Sequence, residues 1–272
     1  MTTLTCQTCH DPLIIPIEPD SDVEEQPACS SSSSSPQTVP DDLLLPCGCH
    51  FHWQCFLDLA STIYSSLRCP SCNAYLPSES AGSSSKPTNP QILTTYTNEG
   101  GVQPSLDLYP TLQEEAYLAA NPSSRPARAF QSFASEGDVQ GMVSVLRSLI
   151  EPDSDSEDDS NTPKLTPAEV LTYRDPLNND KTALHLAIEN RQEEAVWALL
   201  WLGSGAPTEL FPPAVPAAAV GLGLPRRLEQ GPIPVEEDVR FVRDGEGRTA
   251  GDLCLEIGEG WEKLVQGGLF MS

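Results

Sequence analysis

The chain of 272 residues is long enough for two small domains joined by linkers, but not for several full-sized cores. Its formal net charge at pH 7 is −24, from 15 basic and 39 acidic residues. Nucleic-acid phosphates and anionic lipid surfaces repel such a chain, so neither is an expected partner. Its 26 prolines, 18 glycines and aromatic content of 6% also argue against one large enzyme core.

The sequence also bears on where the protein resides. It begins without a basic and apolar leader, and no apolar run approaches the ~20 residues that a membrane span requires. We therefore expect a protein of the cytoplasm or the nucleus without a membrane partner. In that reducing setting, clustered cysteines predict metal ligands rather than disulfides.

Eight candidate metal ligands lie within the first 72 residues. Two cysteine pairs are separated by two residues, a spacing that lets both thiolates of a tight turn reach one ion. The segment 46–55 supplies four further donors. The predicted ligands are Cys6, Cys9, Cys47, Cys49, His52, Cys55, Cys69 and Cys72.

Eight ligands suffice for two closed four-coordinate sites, which predicts two structural Zn²⁺ ions with no position open for a reacting water. His50 competes with Cys49 as the fourth ligand in chain order. It would leave only one residue before His52, which is too few for the usual turn, so we favour Cys49. His50 and His10 are then expected to face solvent.

The order of these ligands resembles that of RING fingers. The closing segment reads Arg68-Cys69-Pro70-Ser71-Cys72 and the middle one reads Leu45-Pro46-Cys47-Gly48-Cys49, and both phrases are characteristic of that family. The resemblance implies a cross-brace in which the two sites take alternate ligand pairs. One ion would take Cys6, Cys9, His52 and Cys55, and the other Cys47, Cys49, Cys69 and Cys72.

The resemblance further implies RING-type ubiquitin ligation. Such a module has no covalent catalytic residue; it binds a ubiquitin-charged conjugating enzyme and holds the thioester in a reactive orientation. The positions implied to contact that enzyme are Thr8, Leu59, Pro70 and Asn73. Many family members have isoleucine at the position of Thr8 and arginine at that of Asn73. The alternative function is a non-catalytic, zinc-containing scaffold for protein interactions.

The zinc domain is expected to span residues 1–77, with a helix over 56–67. Residues 18–41 form an acidic, serine-rich insert that is predicted to be disordered, with Cys29 as a free thiol. Residues 78–128 are rich in Ser, Pro, Asn and Gly and are predicted to be a disordered linker with one short helix, Leu112 to Ala120.

Residues 129–267 are predicted to be helical and resemble ankyrin repeats. The segment 181–203 follows the family's Thr-Pro-Leu-His-x-Ala motif from Thr182, with Ala183 in place of proline, and gives His185 a structural role between turns. A final repeat would span Asp244 to Val265. Its threonine, Thr249, follows Thr182 by 67 residues, about two periods of ~33.

That spacing leaves room for a degenerate repeat within the proline-rich segment 207–243. Upstream, Phe130 to Ile150 fits another helix pair, followed by an insertion that includes the acidic tract 151–160. Ser154 and Ser156 in that tract are candidate targets of acidophilic kinases.

The sequence as a whole thus predicts a small zinc-stabilised cross-brace (RING-like) domain and an all-α ankyrin-like repeat region, joined by a disordered linker. We expect an adaptor with two kinds of protein partner. The first domain would bind a ubiquitin-conjugating enzyme, and the repeats would present a protein substrate on their concave surface.

Overall fold

A computed structural model of the protein describes residues 4–16, 38–78, 90–150, 164–224, 226, 231, 233–258 and 260–270. The chain divides into two compact units, Met1–Ala120 and Asn121–Ser272, and each has its own hydrophobic core. Among the described residues, no helix combines the length and the apolar character needed to cross a membrane.

The first unit combines two small antiparallel sheets with three helices. One sheet pairs β1 (Ile14–Pro16) with β2 (Thr38–Pro40). The other has the strand order β4-β3-β5-β6 and consists of β3 (Asp42–Leu44), β4 (His50–Phe51), β5 (Leu93–Asn98) and β6 (Gly101–Asp107). The helices are α1 (Trp53–Leu57), α2 (Ala60–Ser66) and α3 (Tyr109–Ala120), and α3 packs against α2.

The helix expected over 56–67 is divided into α1 and α2. The backbone of Leu59 leaves the helical region, with φ −98° and ψ 6°, so the chain changes direction there. Phe56 and Ile63 on either side of this break are both buried in the core of the unit. The break therefore lets two short helices each contribute an apolar residue to one small core.

The predicted boundary of the disordered insert 18–41 is also corrected, because its last residues are ordered. Residues 38–40 form β2, and Asp41 is buried, with only 5% of its surface exposed. Strand pairing satisfies the backbone groups that a disordered segment would leave to water. The rest of the insert, residues 18–37 with Cys29, lies outside the described residues.

The prediction of a disordered linker over 78–128 is wrong for most of that segment. The segment contains β5, β6, α3 and the beginning of the next helix, and α3 includes the short helix expected over 112–120. Residues 79–89 lie outside the described part of the chain. Ile92, Leu108 and Leu112 are fully buried in the same core as Leu43 and Phe51 near the predicted ligands. Burial of these three side chains is the physical reason that this segment is ordered.

A buried carboxylate fastens β5 to the rest of the first unit. The Asp41 Oδ1 atom accepts hydrogen bonds from the Tyr96 hydroxyl at 3.0 Å and from the Trp53 backbone N–H at 3.2 Å. The rings of Trp53 and Tyr96 pack with their centroids 4.8 Å apart. Burial, together with the adjacent Asp41, raises the pKa of Tyr96 to about 12, so the hydroxyl remains a donor at neutral pH.

We expect Tyr96→Phe to destabilise the first unit by about 1–2 kcal/mol, because Asp41 loses one of its donors while it stays buried. Amide hydrogen exchange of the full chain would show faster exchange over residues 90–108 and unchanged exchange in the second unit. Tyr75→Phe is the matched control, because Tyr75 is 56% exposed. Equal effects of the two substitutions would contradict the anchoring role.

The second unit is helical, as the sequence predicts. Its helices are α4 (Arg125–Glu136), α5 (Val139–Ile150), α6 (Pro167–Leu171), α7 (Ala183–Glu189), α8 (Glu193–Gly203), α9 (Ala214–Gly221), α10 (Ala250–Ile257) and α11 (Glu262–Gln266). Three helix pairs, α4–α5, α7–α8 and α10–α11, follow one another, and α7 packs against both α4 and α10. Successive pairs thereby bury one another's apolar faces.

The turns inside the first two helix pairs are equivalent. Gly137 between α4 and α5 has φ 80°, and Arg191 between α7 and α8 has φ 58°, so both residues are left-handed. A Cβ atom at Gly137 would lie 2.4 Å from Oε1 of Gln192. Glycine is therefore favoured by its backbone conformation, and any larger residue would also displace the Gln192 side chain of the next turn.

The third helix pair lies directly against the second, which corrects the expected spacing. The Gly245 N–H donates to the Asn179 carbonyl at 2.7 Å, so the turns before α7 and α10 touch. The segment 204–243 is thus an insertion, not a degenerate repeat, and its helix α9 packs against α8. Pro216 does not interrupt α9, because it lies in the first turn, where an amide has no helical partner.

His185 joins the second and third helix pairs. It is fully buried, with Nδ1 2.8 Å from Thr182 Oγ1 and Nε2 3.1 Å from the Arg248 carbonyl oxygen. Because that carbonyl can only accept, Nε2 carries the proton and Nδ1 accepts from the Thr182 hydroxyl. Burial is the main reason that the pKa of His185 is lowered, so the neutral ring is the form that fits this position.

The lowered pKa of His185 predicts a pH dependence of the second unit's stability. As pH falls below about 6.5, the unfolded chain binds the proton first, so the free energy of unfolding decreases until the folded ring is also protonated. Urea unfolding followed between pH 7.5 and 5 would show this decrease. The variant His185→Gln should lose that part of the pH dependence, and an identical slope in both proteins would contradict it.

Candidate metal centre

The eight predicted ligands come together as two groups of four in the first unit. The site 1 group is Cys6, Cys9, His52 and Cys55, and the site 2 group is Cys47, Cys49, Cys69 and Cys72. Within each group the donor atoms all lie within 4.8 Å of one another, so each group could hold a metal ion. Alternate ligand pairs along the chain enter the two sites, which agrees with the cross-brace pairing that the resemblance implies.

The two Cys-x-x-Cys turns are built in the same way. In each, the amide of the first cysteine donates to the carbonyl five residues later, and the amide four residues later donates back to that cysteine, with N···O distances of 2.9–3.0 Å. The residue after the second cysteine is left-handed, with φ 67° at His10 and 59° at Asn73. Asparagine and histidine are enriched in this conformation, which suits Asn73 to its place.

The side chain of His52 is oriented by a bond on the far side of its ring. Its Nε2 atom lies 2.9 Å from the Pro12 carbonyl oxygen, which can only accept, so Nε2 carries the proton. The unprotonated Nδ1 then faces Cys9 Sγ at 3.2 Å and Cys55 Sγ at 3.8 Å. A metal ligand whose second nitrogen donates to a carbonyl is held in the correct tautomer and ring orientation.

Site 1 contains thiols with opposed pKa shifts. Burial opposes ionisation of Cys6, but backbone N–H donors outweigh it and lower its pKa to about 7. Two of these donors are Thr8 and His52, whose nitrogens lie 3.4 and 3.3 Å from Cys6 Sγ. Burial and the neighbouring thiols raise the pKa of Cys55 to about 12.

Site 2 shows the same contrast. A backbone hydrogen bond is the main reason that the pKa of Cys72 is lowered to about 7, whereas burial and the neighbouring thiols raise that of Cys49 to about 12. When no cation is bound, burial and the neighbouring thiols therefore oppose ionisation of Cys49 and Cys55. A bound cation would remove this penalty, since coordinated cysteines are deprotonated.

His50 is outside both groups, in agreement with the choice of Cys49 as a ligand. Its expected exposure to solvent is corrected, because it is half-buried on β4 and its Nδ1 atom lies 2.8 Å from Asp42 Oδ1 on β3. This bond spans two strands that pair next to each other. His10 is exposed, as expected.

The four positions implied to contact a conjugating enzyme lie on or near the ligand-bearing turns. Thr8, Pro70 and Asn73 are exposed, and Leu59 is half-buried at the break before α2. The two turns that carry Thr8 and Pro70 are connected by a hydrogen bond of 3.1 Å from the Ser71 hydroxyl to Gln7 Oε1. The backbone carbonyl of Asn73 accepts a bond from the Arg68 guanidinium at 2.9 Å.

Comparison with protein-family models finds no match to this chain, and comparisons with curated proteins and with solved structures find none either. The interpretation of the centre therefore depends on its own residues. Sequence patterns identified the eight donors but missed the parts that support them, namely the Pro12 carbonyl and the Asp41–Tyr96 bond. The Thr- and Tyr-rich run before Gly100-Gly101 indicates a strand that contains Tyr96, but not the bond of Tyr96 to Asp41.

Proposed function

We propose that each ligand group binds one structural Zn²⁺ ion and that the first unit is a RING-type ubiquitin ligase module. The donors are seven cysteines and one histidine, a set that zinc takes in structural sites. Four protein ligands complete each coordination sphere, which leaves no position for a reactive water. The metal would therefore stabilise the fold, and the function would reside in the surrounding surface.

The interleaved grouping of the ligands carries this proposal. Two independent zinc fingers would take consecutive ligands, whereas here the third pair along the chain shares a site with the first. That arrangement places the two Cys-x-x-Cys turns side by side, as the Ser71–Gln7 bond shows. An exposed surface built from both turns is what binding of a conjugating enzyme would require.

In the proposed mechanism the module binds a ubiquitin-charged conjugating enzyme and orients its thioester toward an incoming amine. Thr8 and Pro70 would contact that enzyme from the two turns, with Leu59 between α1 and α2. Asn73 follows the last ligand and offers hydrogen bonds to ubiquitin or to the enzyme, without the charge of an arginine. The contribution to the rate would come from proximity and orientation.

The second unit would supply the substrate. Its stacked helix pairs resemble ankyrin repeats, and repeats of this kind present extended concave surfaces to other proteins. The partners proposed for the whole chain are thus a ubiquitin-conjugating enzyme and a protein substrate, in the cytoplasm or the nucleus. The strongly acidic composition continues to argue against nucleic acid as the partner.

The test is a ubiquitination assay with the full chain, activating enzyme, a panel of conjugating enzymes and ubiquitin. We expect chain formation that falls roughly fivefold or more in Pro70→Ala, because an exposed interface side chain is lost. Val102→Ala is the matched control, since Val102 is an exposed apolar side chain on β6 of the same unit and is not an implied contact. Asn73→Arg should increase the rate of thioester discharge.

Absence of ubiquitin transfer across the whole panel, with both metals bound, would contradict ligase activity. It would favour the alternative function of a non-catalytic, zinc-containing scaffold. Equal activity of Pro70→Ala and Val102→Ala would instead contradict the proposed contact surface while leaving the activity itself intact.

A further inference from the structure

A groove in the second unit is formed by the insertion between the second and third helix pairs. The insertion places α9 alongside α8, and the cavity between them and the beginning of α5 has a volume of about 740 Å³. Pockets that bind ligands in proteins have volumes of roughly 300–1,000 Å³. The groove is thus large enough to take several side chains of a binding partner.

The floor of this groove is aromatic. Trp197 is half-buried and Trp201 is 7% exposed, and both contact Phe211, with ring centroids 6.0 and 5.5 Å away. The wall on α9 consists of small and aliphatic side chains, including Val215 and Ala218. Such a surface gains free energy when bulky apolar groups displace its water.

The rim of the groove is acidic. Asp138 precedes α5, and Glu193 and Glu194 lie in the first turn of α8. No lysine or arginine is among the described residues that line the groove, although the Arg226 guanidinium packs on the rings of Trp201 and Phe211, 4.9 and 4.8 Å from their centroids. Over the described parts of the chain, no ion pair involves any of these three carboxylates.

A second cavity continues the groove beyond Trp197. It has a volume of about 470 Å³ and shares Glu193, Trp197 and Pro212 with the first. It adds another carboxylate, Glu262 at the start of α11, and no lysine or arginine is among its described lining residues. The apolar floor and acidic rim therefore extend over both cavities.

We propose that this groove binds a segment of another protein in which bulky apolar side chains are flanked by lysine or arginine. The apolar side chains would cover the aromatic floor, and the flanking cations would pair with the rim. A second copy of this chain does not fit that chemistry, because two molecules of net charge −24 repel each other. The proposal does not depend on ubiquitin transfer by the first unit.

The test uses the full chain and a fluorescein-labelled synthetic peptide of leucine and lysine, with the leucines at helical spacing. The same peptide with glutamate for every lysine is the charge control. We expect the lysine peptide to bind and the glutamate peptide not to bind, by fluorescence anisotropy. Hydrogen exchange should show protection of α8 and α9 in the complex.

Two matched pairs of variants locate the binding. Ala218→Trp fills the groove and Ala217→Trp adds the same bulk outside it; both alanines are exposed on α9, so both variants should fold. We expect Kd to rise about tenfold or more in Ala218→Trp and to stay within about twofold in Ala217→Trp. Circular dichroism would check that both retain their helices.

The second pair tests the rim with two double variants that have the same total charge as each other. Glu193→Gln with Glu194→Gln keeps an acceptor for the Trp197 Nε1 bond but removes two charges, and Glu99→Gln with Glu115→Gln removes two charges from the first unit. We expect the former pair to weaken binding about tenfold and the latter about twofold or less. Equal effects within either pair, or no binding of the lysine peptide, would overturn the proposal.

Discussion

Replacement of Cys69 by alanine should release the metal from site 2 and unfold the first unit, while the second unit stays folded. Cys69 is 2% exposed and belongs both to the ligand group and to the hydrophobic core. Structural zinc sites supply about 10–16 kcal/mol of apparent binding free energy, comparable to the entire stability of most domains. The first unit cannot lose that contribution and remain folded.

Metal content per chain and amide hydrogen exchange measure the two parts of this prediction. The wild-type chain should hold two zinc ions, and Cys69→Ala should hold at most one, with lost protection across residues 38–78 and 90–120. Cys29→Ser is the matched control, because Cys29 is predicted to bind no metal. Unchanged metal content and protection in Cys69→Ala would show that site 2 does not exist.

Replacement of His185 by alanine should destabilise the second unit by about 3 kcal/mol. The imidazole is fully buried and bonded on both sides, so its removal leaves the Thr182 hydroxyl and the Arg248 carbonyl without this partner and opens a cavity. The effect should be largest at the contact between α7 and α10, because the Arg248 bond spans that contact.

Urea unfolding of the full chain would measure the loss, with hydrogen exchange reporting which helices open. Ser148→Ala is a suitable control, since Ser148 is exposed on α5 of the same unit and its hydroxyl makes only a local bond. We expect amide exchange in α10 and α11 to be faster in His185→Ala than in the wild-type chain. In the control variant the exchange rates should not change. If both variants unfold at the same urea concentration, His185 does not join the helix pairs.

The metal centre could be predicted from the sequence because its signal is local. Ligands two residues apart must share a turn, so four close pairs specify eight donors without knowledge of the fold. The assignment of pairs to sites is not local, since Cys6 and His52 meet across 46 positions. Only the resemblance to RING fingers supplied that assignment, and the structure groups the same residues.

The β5–β6 hairpin over 93–107 could not be predicted in the same way, although the helix that follows it was. The run that contains Tyr96 has strand-forming residues, but it lies between Ser- and Pro-rich stretches whose composition favoured a linker. Its order depends on two distant partners, the buried Asp41 carboxylate and the core around Leu43. Neither contact leaves a mark in the local composition.

The prediction of the stacking order in the second unit was wrong for a different reason. Thr182 and Thr249 are separated by about two repeat periods, and spacing alone cannot distinguish a degenerate repeat from an insertion of similar length. The hydrogen bond between Gly245 and Asn179 joins the turns before α7 and α10, so the segment between these helix pairs is an insertion. The helix pairs themselves were predictable, because Gly137 and Arg191 mark the same turn.

X-ray absorption at the zinc edge tests the central claim most directly, because it counts the donors around the metal in the intact chain. For two ions held by seven cysteines and one histidine, we expect a sulfur shell at about 2.3 Å, a minor nitrogen shell at about 2.0–2.1 Å and no water ligand. An oxygen shell, or an average coordination that departs from about 3.5 sulfurs and 0.5 nitrogen per zinc, would contradict two closed sites with these donors.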